Sequence, residues 1–398
     1  MGEIVQTERF DHSIVLNEAS SASIYFGVCS LVLTIGSWNA RSANAIKDYM
    51  MRNAAIKAHP RKLTMRFGLF CSAQASTNEF GLETGQGFRD YLDFNVEAEA
   101  LGYHSSFLVE HHFTGWNQVS ATLTLLTCLA MRTTTLRLGR AVMVLPWHHP
   151  VLLAEQAATL DLISGGRLDF GVGKGYRHSE FKGFGVPPEE AEGRFEEAIE
   201  VILRSWISRT RFSHWGRYWR FEDIVVEPPP AQHPHPPVWV AAASSPSIRR
   251  AAARGFNLIL DQYAGPDAIG QRIALYRSER EANGHIFDPQ QVTVARQLYI
   301  AKDAADKEAA LARQAEYTQR TVAVSRAPDG KVGSHVLAYA NAAGGTEANA
   351  LYGTPHELCK MLESLNKVGA EYVLLTISGG KEQLRRFALE IMPKFSSA

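Results

Sequence analysis

The chain has 398 residues, 45% of them hydrophobic, with 41 Lys+Arg balanced by 41 Asp+Glu. That length and apolar content can build a large core, and the balanced charge provides no field to draw nucleic acid or anionic lipid, so a small-molecule partner is expected. The four cysteines, Cys29, Cys71, Cys128 and Cys359, lie far apart and form no CxxC pair, which argues against a zinc ribbon or a disulfide framework and for reduced thiols in the cytoplasm.

Residues 23–38 (SIYFGVCSLVLTIGSW) form the only long apolar run. Gly and Ser interrupt it and Glu3, Glu8, Asp11 and Glu18 precede it, so it fits neither a secretory signal with its positive leader nor a membrane span of about 20 continuous apolar residues. No sustained period is legible before HPRKLT at 59–64. Residues 1–64 are therefore expected to be an extension, poorly ordered or not part of the natural domain, and residues 65–398 to be the domain.

From Met65 the chain alternates short β-branched or aromatic runs with amphipathic helical stretches, the pattern of a parallel sheet wrapped by helices. The strand candidates are 66–71, 105–110, 137–144, 168–172, 238–242, 257–261, 293–301 and 371–377. Between them Phe195, Ala198, Ile199, Ile202, Leu203 and Trp206 trace one helix face, and Leu358, Met361, Leu362, Leu365 and Val368 another. Pro150 marks a helix start, and Gly102, Gly165 and Gly369 mark helix stops. Eight strands with intervening helices predict a single-domain (β/α)₈ barrel, since an open dinucleotide-binding sheet has about six strands and a glycine fingerprint after the first. Residues 207–236 are expected to add a hairpin before the fifth strand, and the Gly/Ala/Ser-rich 326–350 to form a lid.

In such a barrel the active site is built at the carboxyl ends of the strands. The second strand delivers Glu110, His111 and His112, and alternation allows only one of the two histidines to face the mouth. The fourth ends in GVGKGYRHSEF, where Gly173 and Gly175 flank Lys174, a spacing that lets a ligand approach the backbone and a cation meet a phosphate. After the fifth, Ser244, Ser245 and Ser247 open a helix, where free N–H groups and hydroxyls suit a phosphate as well as an ordinary cap. Of the fourteen histidines, none falls in an HxH or HExxH placed for a metal centre, so no metal site is assigned and a metal-dependent barrel hydrolase is the remote alternative.

Together these segments resemble the bacterial-luciferase-like flavin-dependent monooxygenases (alkanal monooxygenase-like). The similarity runs over residues 65–394 and is carried by MRFGLF, FLVEHHFTGW, LRLGRAVMVLPWHHPVLLAEQAATLDLISGGRLDFGVGKG, PVWVAAASSPSIRRAAARGFNLIL and YGTPHEL. The resemblance implies a non-covalent FMN across the barrel mouth, reduced by a separate flavin reductase and reacting with O₂ through a flavin hydroperoxide to oxygenate a small organic substrate. It places His111 near the reacting face as general acid or base. Lys174, Ser244 and Ser247 match the flavin phosphate site, Glu180 an acidic position near the fourth-strand loop, and Ala141 and Val142 a non-prolyl cis peptide under the flavin. Phe70, Phe107 and Phe113 are expected to keep the mouth dry beneath the lid. Gly173 replaces the reactive cysteine of the light-emitting subunit and Ala243 an acidic residue before the serines, so light emission on a long-chain aldehyde is not expected. Most relatives pair with themselves, which implies a homodimer. The alternatives within this reading are a deazaflavin-dependent oxidoreductase, using reduced deazaflavin in place of FMN, and a non-catalytic flavin-binding protein.

Overall fold

The computed structural model describes residues 64–395 apart from 80, 82, 114, 116–118 and 326–348, together with the backbone of four strands nearer the N-terminus. The chain divides into two compact units, Met1–Lys62 and Leu63–Ala398. In the first, Ile4–Gln6, His12–Asn17, Ser21–Phe26 and Leu33–Ile35 pair in order as an antiparallel sheet.

The second unit is a closed parallel barrel. Its strands are β1 (Arg66–Cys71), β2 (Ser105–Leu108), β3 (Arg137–Arg140), β4 (Leu168–Gly173), β5 (Val238–Ala241), β6 (Asn257–Leu260), β7 (Val292–Ile300) and β8 (Tyr372–Ile377). Each pairs with the next, and β8 returns to β1 through Val373↔Phe67 and Leu375↔Leu69, which closes the ring. The expected third strand, 137–144, is broken: after Arg140 the peptide between Ala141 and Val142 is cis, and Met143–Val144 then rejoins β4. The hairpin expected within 207–236 is present as Phe212–Trp215 paired with Arg220–Ile224. Almost all of the expected lid lies outside the described residues.

Ten helices cover the barrel: α1 (Gln86–Ala100), α2 (Thr122–Ala130), α3 (Pro150–Ser164), α4 (His178–Phe184), α5 (Ala191–Ile207), α6 (Ser245–Ala253), α7 (Pro266–Ala282), α8 (Ala304–Ser325), α9 (Pro355–Lys367) and α10 (Gly380–Glu390), counted among the described residues. The predicted faces are the buried ones: Phe195, Ala198, Ile199, Ile202 and Trp206 on α5, and Leu358, Leu362 and Leu365 on α9. Pro150 occupies the first turn of α3, whose N–H has no helical partner to lose, and Gly165 ends it with φ of 67°, a conformation that costs glycine least. Thr354 and Glu357 form a reciprocal capping box at the start of α9.

Inside the barrel, Phe107, Trp239, Ile259, Tyr372 and Leu374 form a plug, with the Phe107 and Trp239 rings edge to face at 5.7 Å. Phe70, Ala141 and Val142 rest on this plug, partly buried, and make an apolar floor at the mouth. A filled barrel is a rigid base on which side chains at the strand ends can be held.

Candidate active site

The mouth is organised by two buried carboxylates. Glu110 follows β2, which ends two residues earlier than the sequence suggested, and it is 2% exposed. Its Oε1 accepts from His148 Nε2 at 2.6 Å and from His112 Nε2 at 3.1 Å, and its Oε2 accepts from the Val144 N–H at 2.8 Å. The fully buried Arg140 guanidinium lies 3.5 Å from the same Oε2. Burial alone would push the Glu110 carboxyl up, but the hydrogen bonds from His112 and His148, with the charges of His148 and Arg140, outweigh it and hold the group well below the usual carboxylate range. Because a carboxylate only accepts, both histidines carry their proton on Nε2. Glu110 thereby ties the end of β2 to the segment that carries the cis Ala141–Val142 peptide.

Glu180, on the first turn of α4, is the second carboxylate and is also 2% exposed. Its Oε1 accepts from His111 Nδ1 at 3.1 Å and from the His112 N–H at 2.9 Å. The His111 tautomer is thus set with the proton on Nδ1, leaving Nε2 without a partner among the described residues. Burial lowers the His111 pKa, with Glu180 opposing and Arg177 assisting, and the net shift keeps the ring neutral near pH 7. Arg177 is itself buried, with Nη1 3.9 Å from Glu180 Oε1. The two histidines diverge, but both lie beyond the end of β2 at Leu108, so strand alternation is not what turns them. His112 turns onto Glu110 and packs edge to face on Phe184, which stacks on Trp147.

At the ends of β4 and β5, Lys174 pairs with Glu192, whose other oxygen accepts from Arg250 at 3.1 Å. Arg250 lies on α6, the helix capped by Ser244, so Lys174 is tied to the helix that carries the serines. Ser244 Oγ stands 2.8 Å from Ser247 Oγ and accepts from the Ser247 N–H at 3.4 Å, while Ser245 is exposed. The serines therefore act as a helix cap here, with their hydroxyls grouped at the exposed end.

Several expected positions differ. Gly173 was expected to open room for a ligand, but a Cβ there would sit 2.4 Å from Val142 Cγ2, and one at Gly171 1.6 Å from the Arg140 carbonyl oxygen. Their missing side chains admit the neighbouring strand, and Gly175, with φ of 77°, serves the turn that follows. Of the three phenylalanines expected at the mouth, Phe70 is there and the other two are not. Phe107 is fully buried in the plug, Phe70 lies on the floor, and Phe113 is 55% exposed against Phe184. Arg140, Arg177 and His148 were not singled out from the sequence, and Glu110 was placed at a strand end without a role. An acidic residue ending an apolar strand, and the pair in WHHP, were the signals present.

Residues 65–372 match the profile of the luciferase-like monooxygenases. An uncharacterised Sinorhizobium fredii protein is 31% identical over 219 residues, 55% of this chain and 62% of that protein, so the chain spans less than two thirds of that relative's length. The oxygenase component of a flavin-dependent trigonelline monooxygenase from Acinetobacter baylyi is 26% identical over 357 residues, 84% of this chain and 96% of that protein. Among solved structures, the monooxygenase RslO1 from Streptomyces bottropensis superposes with a TM-score of 0.71 at 26% identity, covering 83% of this chain and all of that one. The fold is shared at 20% identity with the FMN complex of the oxygenating constituent of 3,6-diketocamphane monooxygenase from Pseudomonas putida (TM-score 0.67, covering 83% of this chain and 98% of that one). It is also shared at 20% identity with a coenzyme F420 dependent reductase from Methanopyrus kandleri (TM-score 0.63, covering 84% of this chain and all of that one). The profile match over most of the chain places it: this protein belongs to the luciferase-like monooxygenase family.

Proposed function

We propose that this chain is the oxygenase of a two-component flavin-dependent monooxygenase, working as a homodimer that receives reduced FMN from a flavin reductase and oxygenates a small organic substrate with O₂. The observation that carries the reading is His111, oriented through Nδ1 by a buried carboxylate and unpartnered at Nε2 among the described residues. The residues present also fit FMN: an apolar floor of Phe70, Ala141 and Val142 for a flat ring, and Lys174, Ser244 and Ser247 for a phosphate.

Bound reduced FMN would supply the electrons that activate O₂. The chain's own residues then do three things. His111 takes a proton at Nε2 and returns it, with Glu180 holding the ring in the tautomer that leaves Nε2 free. Trp147, Phe181 and Phe184 pack beside His112 and keep bulk water from that wall of the mouth. Glu110 fixes the strand ends on which His111 and the floor are mounted.

The test is oxygen uptake with FMN, a flavin reductase and NADH, with peroxide and oxygenated product quantified in parallel. In His111→Ala, FMN binding should change little while product per O₂ falls by about 10²- to 10⁴-fold, the range for a lost acid or base, and uptake continues as H₂O₂. Turnover of a reduced deazaflavin without O₂ consumption, or flavin binding with no O₂ consumed, would refute the oxygenase reading.

A further inference from the structure

Gln297 is a buried carboxamide at the mouth that no described residue pairs with. On β7 it follows Arg296, whose guanidinium turns out of the barrel to the carbonyls of Asp261 at 3.1 Å and Ala264 at 2.6 Å, and it precedes Leu298, which packs in the outer core with Phe67 and Leu69. Alternation therefore turns Gln297 inward. Its register partner on β8 is Thr376, two residues above Leu374 of the plug, and Thr376 Oγ1 donates to the Phe70 carbonyl at 3.2 Å. Gln297 thus stands just above the plug, at the level of the floor.

The residue is 6% exposed, its Oε1 is buried with no hydrogen-bond partner, and Nε2 has none among the described residues either. A buried amide left unpaired costs free energy unless a ligand completes it. A carboxamide sets an acceptor beside a donor, which complements a ring edge bearing an N–H next to a carbonyl. FMN has such an edge at its pyrimidine end, with N3–H between C2=O and C4=O, and none at its dimethylbenzene end. With the phosphate at the ends of β4 and β5 and the ring on the floor, the polar end of the ring needs a partner elsewhere on the rim.

We propose that Gln297 recognises the flavin pyrimidine edge, accepting from N3–H and donating to an adjacent carbonyl; the inference rests on the FMN reading above. The test compares anaerobic binding of reduced FMN and reduced 3-methyl-FMN to the wild type and to Gln297→Leu, with folding checked by thermal denaturation. The wild type should bind 3-methyl-FMN about tenfold or more weakly than FMN, and Gln297→Leu should bind FMN about as weakly as the wild type binds the methylated flavin. Equal wild-type affinity for the two flavins, a comparison that needs no variant, overturns the inference and leaves the FMN reading standing. So does an equal loss for both flavins in Gln297→Leu. Failure of the wild type to bind FMN at all overturns the FMN reading, and this inference with it.

Discussion

Replacing Glu110 by Gln tests whether one buried carboxylate holds the mouth together. The glutamate takes donors on both oxygens, the two histidine N–H groups on Oε1 and the Val144 N–H on Oε2, and its charge faces Arg140 3.5 Å from Oε2. Glutamine keeps one accepting oxygen and turns an NH₂ toward donors on the other side, so at least one set is lost whichever way the amide is placed. It also leaves the fully buried Arg140 without its counter-charge. Breaking a buried pair by removing one partner costs about 3–5 kcal/mol, against a total stability of about 5–15 kcal/mol. At about 2.1 cal/mol/K of unfolding entropy per residue, a unit as long as Leu63–Ala398 loses about 1.4 °C per kcal/mol, so Tm should fall by roughly 4–7 °C. The assay is thermal and urea unfolding of the wild type, Glu110→Gln, Arg140→Met and the double variant. If the pair is coupled, the double variant should be less unstable than the sum of the singles by about 2 kcal/mol, because removing both charges leaves no orphan. A Tm drop under about 3 °C, or simple additivity, would refute this account of Glu110.

The phosphate site gives a second prediction. Lys174 is half exposed and shares Glu192 with Arg250, so Lys174→Ala should weaken FMN by only about 1.5 kcal/mol, the low end for a charge-assisted hydrogen bond, and leave riboflavin unaffected. Glu192→Gln, which frees both cations, should tighten FMN instead; equal effects on FMN and riboflavin in a titration would place Lys174 elsewhere. A chain beginning at Met65 should fold and bind FMN like the full chain, because the Met65 N–H is already held by the Phe395 carbonyl at 2.9 Å and the strand starts at Arg66; loss of soluble protein would contradict this. Stability should also fall with acid through His104, whose pKa is lowered to about 4 by burial and by the Arg66 charge. Its folded pKa lies below the unfolded value of about 6.5, so its contribution is complete above pH 6.5 and is lost as the pH drops toward 4. His104→Asn should flatten the Tm profile in that window, and an unchanged slope would assign the acid sensitivity to another group.

The eight strands, the buried faces of α5 and α9 and the helix limits were legible in the sequence because they depend on neighbours two to four residues apart, where alternation, helical period and capping chemistry act. The same locality placed His111, Lys174 and Ser244 at strand ends, since that follows from counting along the chain. Tertiary structure decided which groups those residues meet. His111 finds Glu180 from 69 positions away, and Glu110 gathers His148 from 38 positions away. The glycines of GVGKG read as space for a ligand, but the end of β3 and the segment after it fill that space with the Arg140 carbonyl and Val142. Gln297 carried only a faint signal, a polar side chain within VTVARQLYI, and became informative once the register of β7 against β8 turned it inward. The physical reason is that periodicity fixes which face a residue occupies, whereas burial, hydrogen-bond partners and pKa are set by groups that only the closed barrel brings within a few ångströms.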